Sequence, residues 1–358
     1  MRSLLRLALA VGAMLLAGCQ AQVPVSPAPS GAVAGSPSPA SSPSPGLVAA
    51  SPSASPSPSP SPSPSPAQRA GTVQLDEYPF AVIIDNIAEA RPHFGLSSAD
   101  VVYEAPAESG IPRLMPVYLR AGGAAERIGP VRSARHYFVH LANEYRVPLV
   151  HIGSSPQGFQ ALAATGLPDL DEARGDSGFV RDPKRQAPHN AFVSSAAVRE
   201  ALRQRGGPIR ATAGPLRIGD FRPGTQPATT VAIPYPGPEG YSVQYAYNPA
   251  SRLYERVMDG RPHQDGATGE QYAAASIVIQ FVEVAPIPGD EALRVDVTLV
   301  GSGRGILVAQ GTQTPLQWSR ASIGEPTQFT RSDRAPFSLP PGQLWVQIVP
   351  LEAQVTIS

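Results

Sequence analysis

From Gln20 to about Val73 the chain is built almost wholly of Ser, Pro, Ala and Gly, with near-strict Ser-Pro alternation from Ser55 to Pro66. Such a stretch cannot bury enough apolar surface to offset the entropy of ordering it, and alternating proline favours extended polyproline II. It reads as a tether over 20–74, and at ~3.1 Å per residue it could reach on the order of 150 Å if fully extended. Folding is therefore left to the roughly 285 residues that follow, enough for a sizeable core.

What precedes the tether says where it is fixed. Arg2 and Arg6 flank the start of an apolar run, Leu4 to Leu16, too short for a comfortable bilayer span and suited to the core of a signal peptide. The run ends in Leu16-Ala17-Gly18-Cys19, which resembles a bacterial lipobox. That resemblance implies cleavage before Cys19 and lipidation of its sulfur, so residues 1–19 are expected to be a lipoprotein signal and the membrane a partner through the anchor. The expected location is the extracytoplasmic face of the cell membrane. Cys19 is the chain's single cysteine, which leaves no thiol for a disulfide and makes the exported fold depend on its core.

Charge is balanced, with 28 Lys and Arg against 28 Asp and Glu, so nothing global points to nucleic acid as a partner. Lys184 is the only lysine. Clustered arginines keep an interest of their own, because the planar guanidinium is the better fork for carboxylate and phosphate.

Strand-like apolar runs occupy Phe80 to Asp85, Asp100 to Ala105 and Arg113 to Arg120, where Pro116 suggests an edge or a bulge. The stretch Gly129 to Gln157 then reads as an arginine-bearing loop, a helix with Phe138, Leu141, Ala142 and Tyr145 on one face, a strand ending at His151, and a turn into a second helix. Ser133 is expected to cap the first helix, Ser154 or Ser155 beside Pro156 to open the second with Gly166 just past its end, and Ser194 to cap a third. Beyond Gly206 the texture becomes strands between Gly/Pro-rich connections, and Gly301-Ser-Gly-Arg-Gly305 reads as a hairpin turn. The expected fold class is α+β or mixed α/β. An N-terminal lobe over 75–207 would hold a mixed or mostly parallel sheet flanked by helices, and 208–358 a β-rich C-terminal lobe.

The globular part resembles the YerB-like bacterial lipoproteins, a family of unassigned biochemical function with two domain pieces in this order. The likeness rests on Ile84-Asp85-Asn86, Arg91-Pro92, Asp100 with Tyr103-Glu104, Gly129 to Arg135, His151 with Gly153 and Ser155-Pro156, and Arg181 with Ala187 to Asn190. Later it rests on Tyr254, Asp259-Gly260, Pro262-His263, Gly301-Ser302-Gly303, Trp318 and Trp345. Ser109 to Arg113 departs from the family's Gly-Gly-Ile-Thr-Arg. The resemblance implies an exported, lipid-anchored protein and supplies no mechanism.

Polar residues placed at strand ends and turns make the candidate ligand site: Asp85, Asn86, Arg91, Glu104, Arg132, Ser133, Arg135, His151, Ser155, Arg181, His189 and Asn190. In open α/β sheets such ends converge on a rim where ligands bind. The same groups could form a buried ion-pair network that fixes loops, or a catalytic site in which His151 or His189 works with Asp85 or Glu104. His136 and His140 lie one turn apart, but no third ligand is evident, and neither metal nor cofactor is expected. The leading expectation is a non-catalytic protein that binds a cell-wall polymer or an envelope protein; the alternative is an envelope hydrolase.

Overall fold

In the computed structural model, which describes residues 74–120, 123–235 and 241–358, the dominant feature is an 11-stranded mixed sheet. Ten of its strands run in the order Gln328–Arg331, Thr312–Arg320, Gly301–Ala309, Ser276–Val282, Leu344–Pro350, Val101–Pro106, Pro112–Arg120, Leu75–Val82, Leu149–His151 and Asp169–Asp171. The Leu344–Pro350 strand lies between Ser276–Val282 and Val101–Pro106, parallel to both, so one ladder draws on both ends of the folded sequence. The signal run, Cys19 and the tether up to Val73 lie outside the described residues. No helix among the described residues is long and apolar enough to cross a membrane.

This corrects the expected fold class. The protein is mostly β, its large sheet is not confined to an N-terminal lobe, and among the described residues only three α-helices occur: α1 (His136–Tyr145), α2 (Pro156–Thr165) and α3 (Ser195–Arg205). The physical reason is that the late β-runs do not close on themselves. Leu344–Pro350 is buried at every position and needs neighbours on both sides, and it finds them in strands from both halves of the chain.

A second, six-stranded sheet contains Thr230–Pro234, Ser242–Asn248 and Leu253–Met258. Their alternation places Val231, Ile233, Val243, Tyr245, Tyr254 and Met258 in one core with Phe80, Val102, Ile277 and Trp345 of the large sheet. The opposite face of the large sheet, with Ala81, Ile83, Val101 and Tyr103, packs on the Phe138, Leu141, Ala142 and Tyr145 stripe of α1. A fully buried pair, Glu144 with Arg320 at 2.8 Å, ties α1 to the Thr312–Arg320 strand. Ser155 and Ser194 cap α2 and α3 through Gly158 N and Ala197 N.

Three local expectations change. Ser133 does not cap α1; Arg135 holds that position without a side-chain capping bond. Pro116 lies in a central strand, where its missing N–H falls in a gap in the ladder: pairing with Leu75–Val82 runs to Ala81↔Val117 and returns at the Ile84–Leu114 bridge. Gly301 to Gly305 is strand, not turn, and a Cβ on Gly303 would stand 2.7 Å from Trp318 Nε1.

Between the two sheets lies a polar interior. Arg256, wholly buried, bonds to Glu104 Oε2 at 2.8 Å and Oε1 at 3.0 Å, to Tyr245 Oη at 2.6 Å, and sits over the Trp345 ring at 4.3 Å. Tyr241 donates to Glu104 Oε1 at 3.0 Å, and Tyr235 to Gln347 Oε1 at 3.0 Å. Breaking a buried ion pair from one side strands the other charge. Glu104→Met or Arg256→Met alone should each cost about 3–5 kcal/mol in urea unfolding, and the double variant far less than their sum. Additive losses would show that the two charges are not coupled.

Candidate functional site

The loop 129–135 lies along residues 83–85, held by Asp85 N to Pro130 O at 3.0 Å and Arg132 N to Ile83 O at 2.8 Å. That alignment sets Arg132 Nε 3.2 Å from Asp85 Oδ2, which also meets His189 Nδ1 at 2.7 Å. Three residues on, Arg135 pairs with Glu108, whose other oxygen lies 3.0 Å from Arg113 Nη2. Arg113 Nη1 donates to the main-chain oxygen of Ser133 at 2.5 Å. Arg294 reaches the same place from the far end of the chain, paired with Asp290 at 2.8 Å.

These groups line one open cavity of about 310 Å³, walled by Asp85, Glu108, Arg113, Arg132, Arg135 and Arg294 with Ile87, Ser109, Ile111 and Ala292. Burial pulls the Glu108 carboxyl up, but Arg113 and Arg135 outweigh it and hold the carboxyl below its usual range. Burial, then the neighbouring Arg113, lowers Arg135. Arg113 and Arg135 are nearly covered, whereas the side chains of Arg132 and Arg294 remain 31% and 27% exposed and are the ones a ligand can reach.

The other expected residues are distributed around this centre. Asn86 and Arg91 line an adjoining cavity of about 280 Å³, where Arg91 pairs with Asp259 at 2.6 Å. Glu104 is sealed in the interior, reached from Asn86 Nδ2 at 3.4 Å. His151 sits in a separate network, Nε2 to Asp169 Oδ2 at 2.9 Å and Nδ1 to Gly153 O at 2.8 Å, beside the Ser155 cap. Arg181 spans Glu172 at 2.7 Å and Asn190 Oδ1 at 2.8 Å and borders another cavity of about 520 Å³. Of the His–carboxylate pairings weighed from sequence, only His189 with Asp85 is made. His136 bonds to Asp296 at 2.8 Å, and among the described residues no group of three or more His, Cys, Asp or Glu is placed to hold a metal.

Sequence reasoning missed Arg113, Glu108 and Arg294, and it missed His93 and His263. Arg256 Nε donates to His263 Nδ1 at 2.9 Å, His263 Nε2 meets His93 Nδ1 at 2.7 Å, and His93 Nε2 meets the Asp85 carbonyl at 2.8 Å. Because the guanidinium can only donate, both imidazoles must be neutral with the proton on Nε2, and the line runs from Arg256 to the backbone of Asp85.

Burial depresses both histidines, His93 to about 3, with nearby cations adding to it. An unfolded chain takes up protons near pH 6.5 that the folded one refuses, so their contribution is complete above pH 6.5 and is lost as pH falls, for His93 down to about 3. Unfolding free energy should therefore drop by up to about 1.4 kcal/mol per pH unit for each histidine between about pH 6 and 5. A flat profile in denaturant titrations over that window would contradict the assignment.

Two family models match the chain: "Protein of unknown function (DUF3048) N-terminal domain" over residues 67–208 and its C-terminal counterpart over 231–346. The chain is 32% identical over 278 residues to a Bacillus subtilis (strain 168) protein named "Putative lipoprotein YerB", covering 76% of this chain and 81% of that one. The crystal structure of the YerB protein from Bacillus subtilis superposes with a TM-score of 0.67 at 30% identity, over 78% of this chain and 93% of that chain.

Proposed function

This chain belongs to the DUF3048 family, and from that footing we propose that it is a membrane-anchored, extracytoplasmic lipoprotein whose head binds an anionic component of the cell envelope without transforming it. The anchor is supported by the name of its Bacillus subtilis relative together with the Leu16-Ala17-Gly18-Cys19 sequence and the apolar run before it. Two acyl chains on Cys19 would make a stable attachment where one would be marginal. The Ser-Pro tether then carries the head away from the bilayer, toward a wall polymer or an envelope protein.

The observation that carries the binding reading is the convergence of Arg113, Arg132, Arg135 and Arg294 on one open cavity of about 310 Å³. Guanidinium groups offer paired donors in the plane that a carboxylate or phosphate accepts. Held by ion pairs and covered stems, they are already in place, so little ordering cost falls on binding. Calorimetric titration of the full-length lipoprotein in detergent micelles with poly(glycerol phosphate) and with muropeptides tests this. Arg132→Gln and Arg294→Gln should each weaken binding by about tenfold or more, because a charged hydrogen bond is worth about 1.5–3 kcal/mol. Equal affinity in all three proteins would remove the site.

One contact favours a second reading, hydrolysis of an envelope polymer. Asp85 Oδ2 lies 2.7 Å from His189 Nδ1, and a carboxylate on one ring nitrogen is how an imidazole is oriented to act as base through the other. Incubating the protein with peptidoglycan between about pH 5 and 9 separates the readings. The binding reading expects no released fragments; release that disappears in His189→Gln would establish hydrolysis.

A further inference from the structure

We infer that the arginine cavity is one half of a bipartite site, and that its ligand is a zwitterion: an anionic group among the arginines and an ammonium beside Glu89, with Ile87 and Ile111 between them. This rests on the anion-binding reading above and specifies its ligand. The two cavities, of about 310 and 280 Å³, both count Ile87 and Ile111 in their walls, so they abut across that apolar pair.

Their charges are opposite. In the first, Asp85 answers Arg132 and Asp290 answers Arg294, while the single carboxylate of Glu108 faces both Arg113 and Arg135, which leaves one cation in excess. In the second, Asp259 answers Arg91 at 2.6 Å. Glu89 lines that cavity, and among the described residues its carboxylate makes neither an ion pair nor a hydrogen bond. The nearby Arg185 is occupied with the main-chain oxygens of Glu89, Arg91 and Pro92 at 3.3–3.4 Å and lines neither cavity.

Asn86 stands in the same wall and keeps an unpaired acceptor beneath it. Asn86 Nδ2 is committed to Tyr241 Oη at 2.8 Å and to Glu104, which fixes the amide orientation and leaves Asn86 Oδ1 buried with no partner. An ammonium has three donors and no acceptor, so the exposed, unmatched carboxylate of Glu89 is the partner it requires. A lone anion would use only one cavity. A molecule with both charges on either side of a short apolar stretch would use both, and two sources share that chemistry: a short peptide and a phosphoethanolamine headgroup.

Charge-deleted probes test it on the full-length lipoprotein in micelles: trialanine, N-acetyl-trialanine, trialanine amide, glycerol 3-phosphate and glycerophosphoethanolamine. Trialanine should lose about tenfold or more in affinity on acetylation, and its amide should not bind. Glu89→Gln, and Ala88→Trp which fills the second cavity from an exposed position, should bring the zwitterions down to the affinity of the lone anions. Ala292→Trp, which fills the first cavity, should abolish binding of the four probes that carry an anionic group. Tighter binding of trialanine assigns a peptide, and tighter binding of glycerophosphoethanolamine a headgroup. Equal affinity for acetylated and free trialanine, with Ala292→Trp still abolishing both, would overturn this inference and leave the anion site standing. No binding of any probe to the unmodified protein would overturn both.

Discussion

A charged pair fixed between two sheets is what the rest of the molecule is arranged around. Glu104 comes from the large sheet and Arg256 from the smaller one, and neither has any exposed side-chain surface. Two ions taken out of water cost several kcal/mol each, and their attraction offsets that only if the remaining donors and acceptors are also satisfied. Tyr235, Tyr241, Tyr245, Gln347 and Asn86 supply those partners. A one-residue slip of the Leu253–Met258 strand within its sheet would turn Arg256 to the other face and leave Glu104 stranded, so the pair fixes that strand's register.

The same interior reaches the functional surface. Through His263 and His93 the guanidinium of Arg256 connects to the carbonyl of Asp85, while Asn86, next in sequence, connects to Glu104. Asp85 and Asn86 are adjacent residues facing different cavities, one beside Arg132 and one beside Arg91. The floor of the proposed site is thus the outer end of the packing network. Positioning charges by a rigid interior leaves the partly exposed Arg132 and Arg294 within reach of a ligand.

Much of this was legible in the sequence, and what was not has a physical cause. The helices were readable from apolar spacing and from Pro156, Gly166 and Ser194 at their ends, with the structure choosing Ser155 over Ser154 as the cap of α2. The arginine loop was readable because Arg132 and Arg135 lie just before a helix start. The sheet was not, because strand pairing between residues hundreds of positions apart carries no local signal: nothing near Leu344 announces Val101 as its neighbour. The grouping of His151 with the site failed for a related reason. It ends a strand beside Leu75–Val82, but Asp169 and Asp171 on the next strand claim it. Arg256 could have been found, since Tyr254, Arg256 and Met258 alternate onto one face, and an inward arginine requires an inward acid. The short Ile-Pro-Arg segment hid Arg113 among strand residues.

A directed line of hydrogen bonds from Arg256 to Asp85 couples the interior to the site, and ring-nitrogen NMR on a ¹⁵N-histidine-labelled protein examines it directly. It predicts that His93 and His263 are both neutral Nε2–H tautomers whose shifts stay constant from neutral pH down to about pH 5, with Nδ1 in each an acceptor. Either ring titrating near its ordinary value of about 6.5, or carrying its proton on Nδ1, would contradict the line and with it the coupling of the interior to the site.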